Sequence, residues 1–130
     1  MKTFKSLLIA LLITSSTVFA HGENMQGPHG GEIRMPGAFH TEVVTEGPRD
    51  VKVYLLDVKF ESPTTENSSV SLRFEGDQNS EATCTKQEAY FACRFEKEVL
   101  NSKGTLHVTA NRQNKKGRMV HYPTPLKFGK

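Results

Sequence analysis

Among its 130 residues the chain has no tryptophan, three tyrosines and two cysteines, and its longest unbroken apolar run, Leu7 to Ile13, is short. As a helix that run spans about 10 Å, against about 30 Å of bilayer hydrocarbon, so it is no membrane span. No Gly-x-Ser-x-Gly element is present, and no serine, cysteine or carboxylate constellation supports hydrolytic chemistry. Without tryptophan, and with cysteines this close in sequence, the antibody type of bridge between sheets is excluded. After Ala20 no stretch of ten or more residues keeps a helical apolar period.

What is present first is an export signal. Lys2 and Lys5 form a positive head, Leu7–Ile13 the apolar run, and Val18-Phe19-Ala20 the residues a signal peptidase reads. We expect residues 1–20 to be a cleaved signal peptide and the mature chain to be periplasmic, with no membrane insertion. Cleavage leaves 110 residues, enough for one compact domain. It removes two lysines and no acidic residue, lowering the net charge from +3 to +1. No nucleic-acid or anionic-membrane field follows from that balance.

The mature chain reads as strand after strand. Val70, Leu72 and Phe74 alternate with polar neighbours, as do Leu106, Val108 and Ala110, and Phe91, Cys93 and Phe95 form a third inward series. Val51–Val58 is apolar on both faces, which suits a central strand. Phe39–Thr45 and Arg118–Tyr122 complete the set. Turn signals separate them at Glu46-Gly47-Pro48, Ser62-Pro63-Thr64, Glu75-Gly76-Asp77 and Asn114-Lys115-Lys116-Gly117. The expected class is all-β, an immunoglobulin-like antiparallel β-sandwich of about seven to eight short strands, over residues 38–130. Residues 21–37 form a Gly/Pro/His/Met-rich N-terminal segment ahead of it.

Cys84 and Cys93 flank a segment that reads as a hairpin tip centred on Glu88 and Ala89, which would place them opposite each other. An exported pair of this kind is expected to be bridged. The competing reading is a thiolate metal site, although the spacing lacks the close pairing of zinc motifs.

Three of the five histidines lie in residues 21–40, together with Met25 and Met35. Imidazole and thioether are donors that copper prefers, and glycines and prolines in the same stretch let the backbone bring them together. The expected metal ligands are His21, Met25, His29, Met35 and His40, with a copper ion first and silver or zinc as alternatives. Cleavage after Ala20 would make His21 the first residue, so its α-amine and ring Nδ1 could chelate Cu(II) as in the histidine brace of periplasmic copper carriers and lytic polysaccharide monooxygenases. Each residue also has a plainer reading. His21 is an incidental histidine on a loose terminus, His29 a loop residue, His40 a sheet-surface residue and Met35 a cover for the domain end. A tight hairpin at Met35–Ala38 would set Ile33 opposite His40 and His29 opposite Val44, holding the two histidines roughly 13 Å apart. Met119 reads as core, and His107 has no evident partner.

The segments Gly27-Pro28-His29-Gly30-Gly31, Phe39-His40-Thr41-Glu42-Val43-Val44 and Val51-Lys52-Val53-Tyr54-Leu55-Leu56-Asp57 resemble a small exported domain. That domain occurs alone and at the front of some periplasmic adaptors of heavy-metal efflux pumps. The resemblance falls within residues 27–57 and implies a Gram-negative periplasm and a link to metal handling. The chain lacks the helical hairpin of a full adaptor. The leading expectation is therefore a non-enzymatic metal-binding or metal-delivery protein, with an efflux adaptor or other envelope protein as partner. The alternatives are an interaction module that binds no metal, a histidine-brace oxidase, or an unrelated exported β domain.

Overall fold

The computed structural model describes residues 25–128, so the expected signal segment and His21 lie outside the described residues. The alternating segments become antiparallel strands: β2 (His40–Thr45), β3 (Asp50–Leu56), β4 (Ser69–Gly76), β6 (Phe91–Phe95), β7 (Gly104–Arg112) and β9 (Val120–Thr124). Three more carry little alternation of their own: β1 (Glu32–Arg34), β5 (Ser80–Lys86) and β8 (Lys115–Lys116). Nine strands are therefore described where seven to eight were expected. Two of the nine, β1 and β8, are too short to leave a periodic signature. Lys115 and Lys116, read from sequence as part of a turn, pair with Arg112 and Asn111. The turn proper is Gln113-Asn114, both at positive φ (49° and 63°), as a two-residue hairpin connection of type I′ demands.

The strands run in the order β1-β2-β3-β6-β5-β4-β7-β8, with β9 also paired to β7. This antiparallel sheet curls until it is nearly a barrel. Val43, Val53, Leu55, Phe91 and Phe95 from one half meet Leu72, Phe74, Leu106, Val108 and Tyr122 from the other, all buried. Across this core the Tyr122 hydroxyl donates to the Thr41 carbonyl at 3.1 Å and lies 2.6 Å from Thr41 Oγ1. Burial pushes the Tyr122 phenol well above its ordinary range, so it stays a neutral donor tying β9 to β2.

The outer face of β1–β3 is also covered. Ile33, Val44 and Leu56 are buried yet stand apart from the main core. Ile33 and Val44 lie beneath the turn at residues 27–31: a Cβ on Gly27 would strike Ile33 Cδ1, and one on Gly31 would strike Val44 Cγ2. With Phe60 over His40 at the other end, this cover leaves β2 buried along its whole length. The β1–β2 register differs from the tight-hairpin expectation. Ile33 faces Glu42 rather than His40, a shift of two residues. The turn is wider because the Pro36 carbonyl accepts the Arg118 amide at 3.0 Å and the Pro36 ring packs on Gly117.

Cys84 and Cys93 are disulfide-bonded. They sit directly opposite each other on β5 and β6, and the Gln87 amide bonds to the Tyr90 carbonyl around the Glu88-Ala89 tip. Closing so short a loop stabilises the fold by about 2–3 kcal/mol in the chain-entropy model. Reduction should lower the melting temperature by about 10 °C while far-ultraviolet spectra still report β structure, because the core is built from several other strands. Complete unfolding on reduction at 25 °C would contradict that division of labour.

Candidate functional site

Glu42 lies at the middle of β2, with a relative exposure of 0%. A carboxylate taken so far from water needs its oxygens matched by donors. The turn Gly27–Gly31 supplies them. The His29 and Gly31 amides donate to Glu42 Oε2 at 2.8 and 2.9 Å, and His29 Nδ1 lies 2.6 Å from Oε1. The turn is closed by the Gly27 amide on the Gly31 carbonyl (2.8 Å) and the Gly30 amide on the Gly27 carbonyl (3.0 Å). Gly30 sits at φ +84°, a conformation that directs the flanking amides to one oxygen as an anion-binding nest. Gly27 must be glycine for a second reason, since a Cβ there would overlap the Glu42 carboxylate.

The imidazole is thereby fixed. Its Nδ1–H donates to the carboxylate, so in the neutral ring Nε2 carries the lone pair, and it has no hydrogen-bond partner among the described residues. The ring lies flat on Tyr54, with centroids 3.7 Å apart and planes 4° apart. Tyr54 stands opposite Glu42 on β3 and leans on Tyr90, whose ring Lys52 overlies at 4.9 Å. Burial raises the Tyr54 phenol above its ordinary range, against the opposing pull of Lys52. A carboxylate on one ring nitrogen and an open second nitrogen is the arrangement that orients histidine as a metal ligand.

The other expected ligands are differently placed. Met25 precedes the turn and is 55% exposed. Met35 is half-buried at the far end of β1, about 10 Å of strand from the turn. His40 shares a face with Glu42, as the sequence spacing implies, but is 2% exposed. Its Nδ1 donates to the Asp57 carbonyl at 3.0 Å, and its ring stacks on Phe60 at 4.0 Å. Phe60 is held there by the Asp57–Glu61 turn, in which Asp57 Oδ1 accepts the Lys59 and Glu61 amides at 2.9 Å. The structure thus joins His29 to Glu42 and Tyr54, and turns His40 to a separate loop. Among the described residues no group of three or more His, Cys, Asp or Glu side chains could hold one ion.

Two expectations outside this corner are corrected. Met119 is 45% exposed rather than core, because Val120 and Tyr122 take the inward positions of β9. His107 does have a partner, since the β7–β9 register sets it opposite His121. Glu42 and Tyr54 were not singled out from sequence. The available signal was the spacing of His40 and Glu42, two residues apart on one face of a strand. Comparison with family models, curated proteins and solved structures returned no match.

The His29–Glu42 corner and the Asp57–Glu61 turn each generate a prediction. Glu42→Ala orphans three donors and should cost about 3 kcal/mol or more, and His29→Ala about 1–2 kcal/mol, by chemical denaturation. The double substitution should fall short of the sum by about 1 kcal/mol, and full additivity would contradict the coupling. The second concerns Asp57, whose carboxyl is held below its ordinary value chiefly by the Glu61 amide and then that of Lys59. A depressed carboxyl stabilises the turn above its unfolded value, near pH 3.9, and that contribution fades as pH falls through the folded value. The His40–Phe60 stacking, followed by NMR ring-current shifts, should therefore loosen only below about pH 4. Loosening near pH 6 would assign control to another group.

Proposed function

We propose that this chain is an exported, periplasmic metal-binding protein without enzymatic activity, handling copper, with silver or zinc as alternatives. The observation that carries the reading is the Glu42–His29 pair, which fixes the ring and leaves Nε2 without a hydrogen-bond partner among the described residues, while Met25, just ahead of the same turn, is exposed. Imidazole with thioether suits copper. His21, if it is the mature N-terminus, would add an amine and a second imidazole from the same end of the chain. His40 and Met35 we leave out of the ligand set, since one is enclosed by Phe60 and the other lies beyond β1. The resemblance of residues 27–57 to domains of heavy-metal efflux adaptors supports delivery to such an adaptor or another envelope protein. The same reading takes the curled sheet as an immunoglobulin-like sandwich, for which the two facing sets of inward side chains speak.

A second reading is an interaction module that binds no metal. The row His29, Tyr54, Tyr90 and Lys52 favours it, because stacked aromatics with a cation form a recognition surface. Titrating the purified mature protein with Cu(II), Ag(I) and Zn(II) separates the two. The metal reading expects one-to-one binding that His29→Ala weakens at least tenfold, about 1.4 kcal/mol. One residue added before His21 should weaken Cu(II) alone if the α-amine is a ligand. Absence of binding to all three ions would leave the interaction module.

A further inference from the structure

The outer face of the opposite half of the sheet holds a second pair of imidazoles. Leu106 and Val108 on β7, and Val120 and Tyr122 on β9, point into the core, so His107 and His121 between them point outward. The register makes them direct cross-strand neighbours, and their Nδ1 atoms lie 2.7 Å apart. At that distance one Nδ1 carries a proton and the other accepts it. The His107 Nε2 decides which. It lies 3.1 Å from Glu75 Oε2, and the same oxygen accepts Arg73 Nη1 at 3.1 Å. Arg73 keeps that carboxylate an acceptor, so His107 bears its proton on Nε2 and presents a bare Nδ1 to His121.

We infer that His107 and His121 form a bidentate site for a borderline divalent cation such as Cu(II) or Zn(II), with Glu75 as the carboxylate that orients His107. Two metal–nitrogen bonds of about 2.0–2.1 Å set their nitrogens about 2.9 Å apart at a right angle and about 3.3 Å apart at the tetrahedral angle. The pair reaches that geometry by opening a few tenths of an ångström and turning each ring by about 35–45°, so that the two lone pairs converge on the ion instead of on each other. Binding transfers the His121 proton from Nδ1 to Nε2 through solvent. Both Nδ1 lone pairs then face the ion, and the pair keeps its charge. Glu75 supplies the outer-shell hydrogen bond that ligating histidines use to fix tautomer and ring direction. The backbone under His121 is held as well, because Arg34 Nε donates to its carbonyl at 2.9 Å. Thr109 and Met119 line, together with His107, a depression of about 210 Å³. The Met119 thioether and the Glu81 carboxylate, which line that depression, and water can supply the remaining positions. This site shares no residue with the His29 corner.

The test is a Zn(II) titration of the mature protein, read from assigned histidine-ring NMR signals, with Cu(II) broadening as a second reading. The His107 and His121 signals should move together and saturate at one common Zn(II) concentration. His121→Gln should weaken the His107 response at least tenfold, and His107→Gln should do the same to His121. Core methyl signals of Leu106 and Val108, read in the same spectra, show that each variant keeps its fold. Rings unmoved by excess Zn(II), or a His107 response unchanged by His121→Gln, would overturn the site. Movement of His29 alone would also overturn it while supporting the other reading. Movement of the pair alone would support it and count against His29.

Discussion

A charged carboxylate with no access to water is the constraint around which the first third of the described chain is arranged. Glu42 stands on a strand that is buried on both faces, so its charge must be met by protein donors. Those donors are two backbone amides and one imidazole from a single turn. The identity of the turn residues follows. Gly30 allows the positive φ that aims the amides, Gly27 leaves room for the carboxylate, and Gly31 packs flat against β2. Covering Ile33 and Val44 is then a consequence of docking that turn, and the hydrophobic burial and the anion nest support one another.

Strand positions were legible because inward residues recur at every second position on β4, β6 and β7, whereas on β9 the inward side was misjudged at Met119. The disulfide was legible for the same reason: a two-residue tip at Glu88-Ala89 fixes Cys84 opposite Cys93. The candidate site was only half visible. His29 stands out among glycines and proline, but its partner is thirteen residues away, and the pairing depends on a hairpin register that sequence spacing put two residues off. The register is decided by Pro36 and Gly117 meeting across more than eighty residues, information no local window contains. His107 looked solitary for a similar cause. Its neighbour His121 arrives by strand pairing, and Glu75 by a different strand again.

The described histidines illustrate how one side chain acquires different chemistry from its second nitrogen. His40 gives its Nδ1 proton to a backbone carbonyl and its ring face to Phe60, and is buried. His29 gives Nδ1 to a buried carboxylate and keeps Nε2 for whatever approaches from outside. His107 reverses the assignment, placing Nε2 on Glu75 and turning Nδ1 toward His121. A carbonyl or a carboxylate each suffices to lock a tautomer. Exposure of the remaining nitrogen then separates a structural histidine from one able to take a ligand.

That distinction also bears on how a small domain could handle an ion without a closed cage. A cage of three or four convergent ligands holds its ion tightly and releases it slowly. A single oriented imidazole, or a pair on adjacent strands, holds an ion with open coordination positions that water or a partner's donor can fill. Transfer to another protein needs such positions, because the incoming ligand must bind before the outgoing one leaves. Ligands mounted on strands and nests lose little conformational freedom on binding, so the affinity that remains comes from geometry already in place. On that argument an incomplete first shell on a rigid sheet fits passing an ion onward better than storing it.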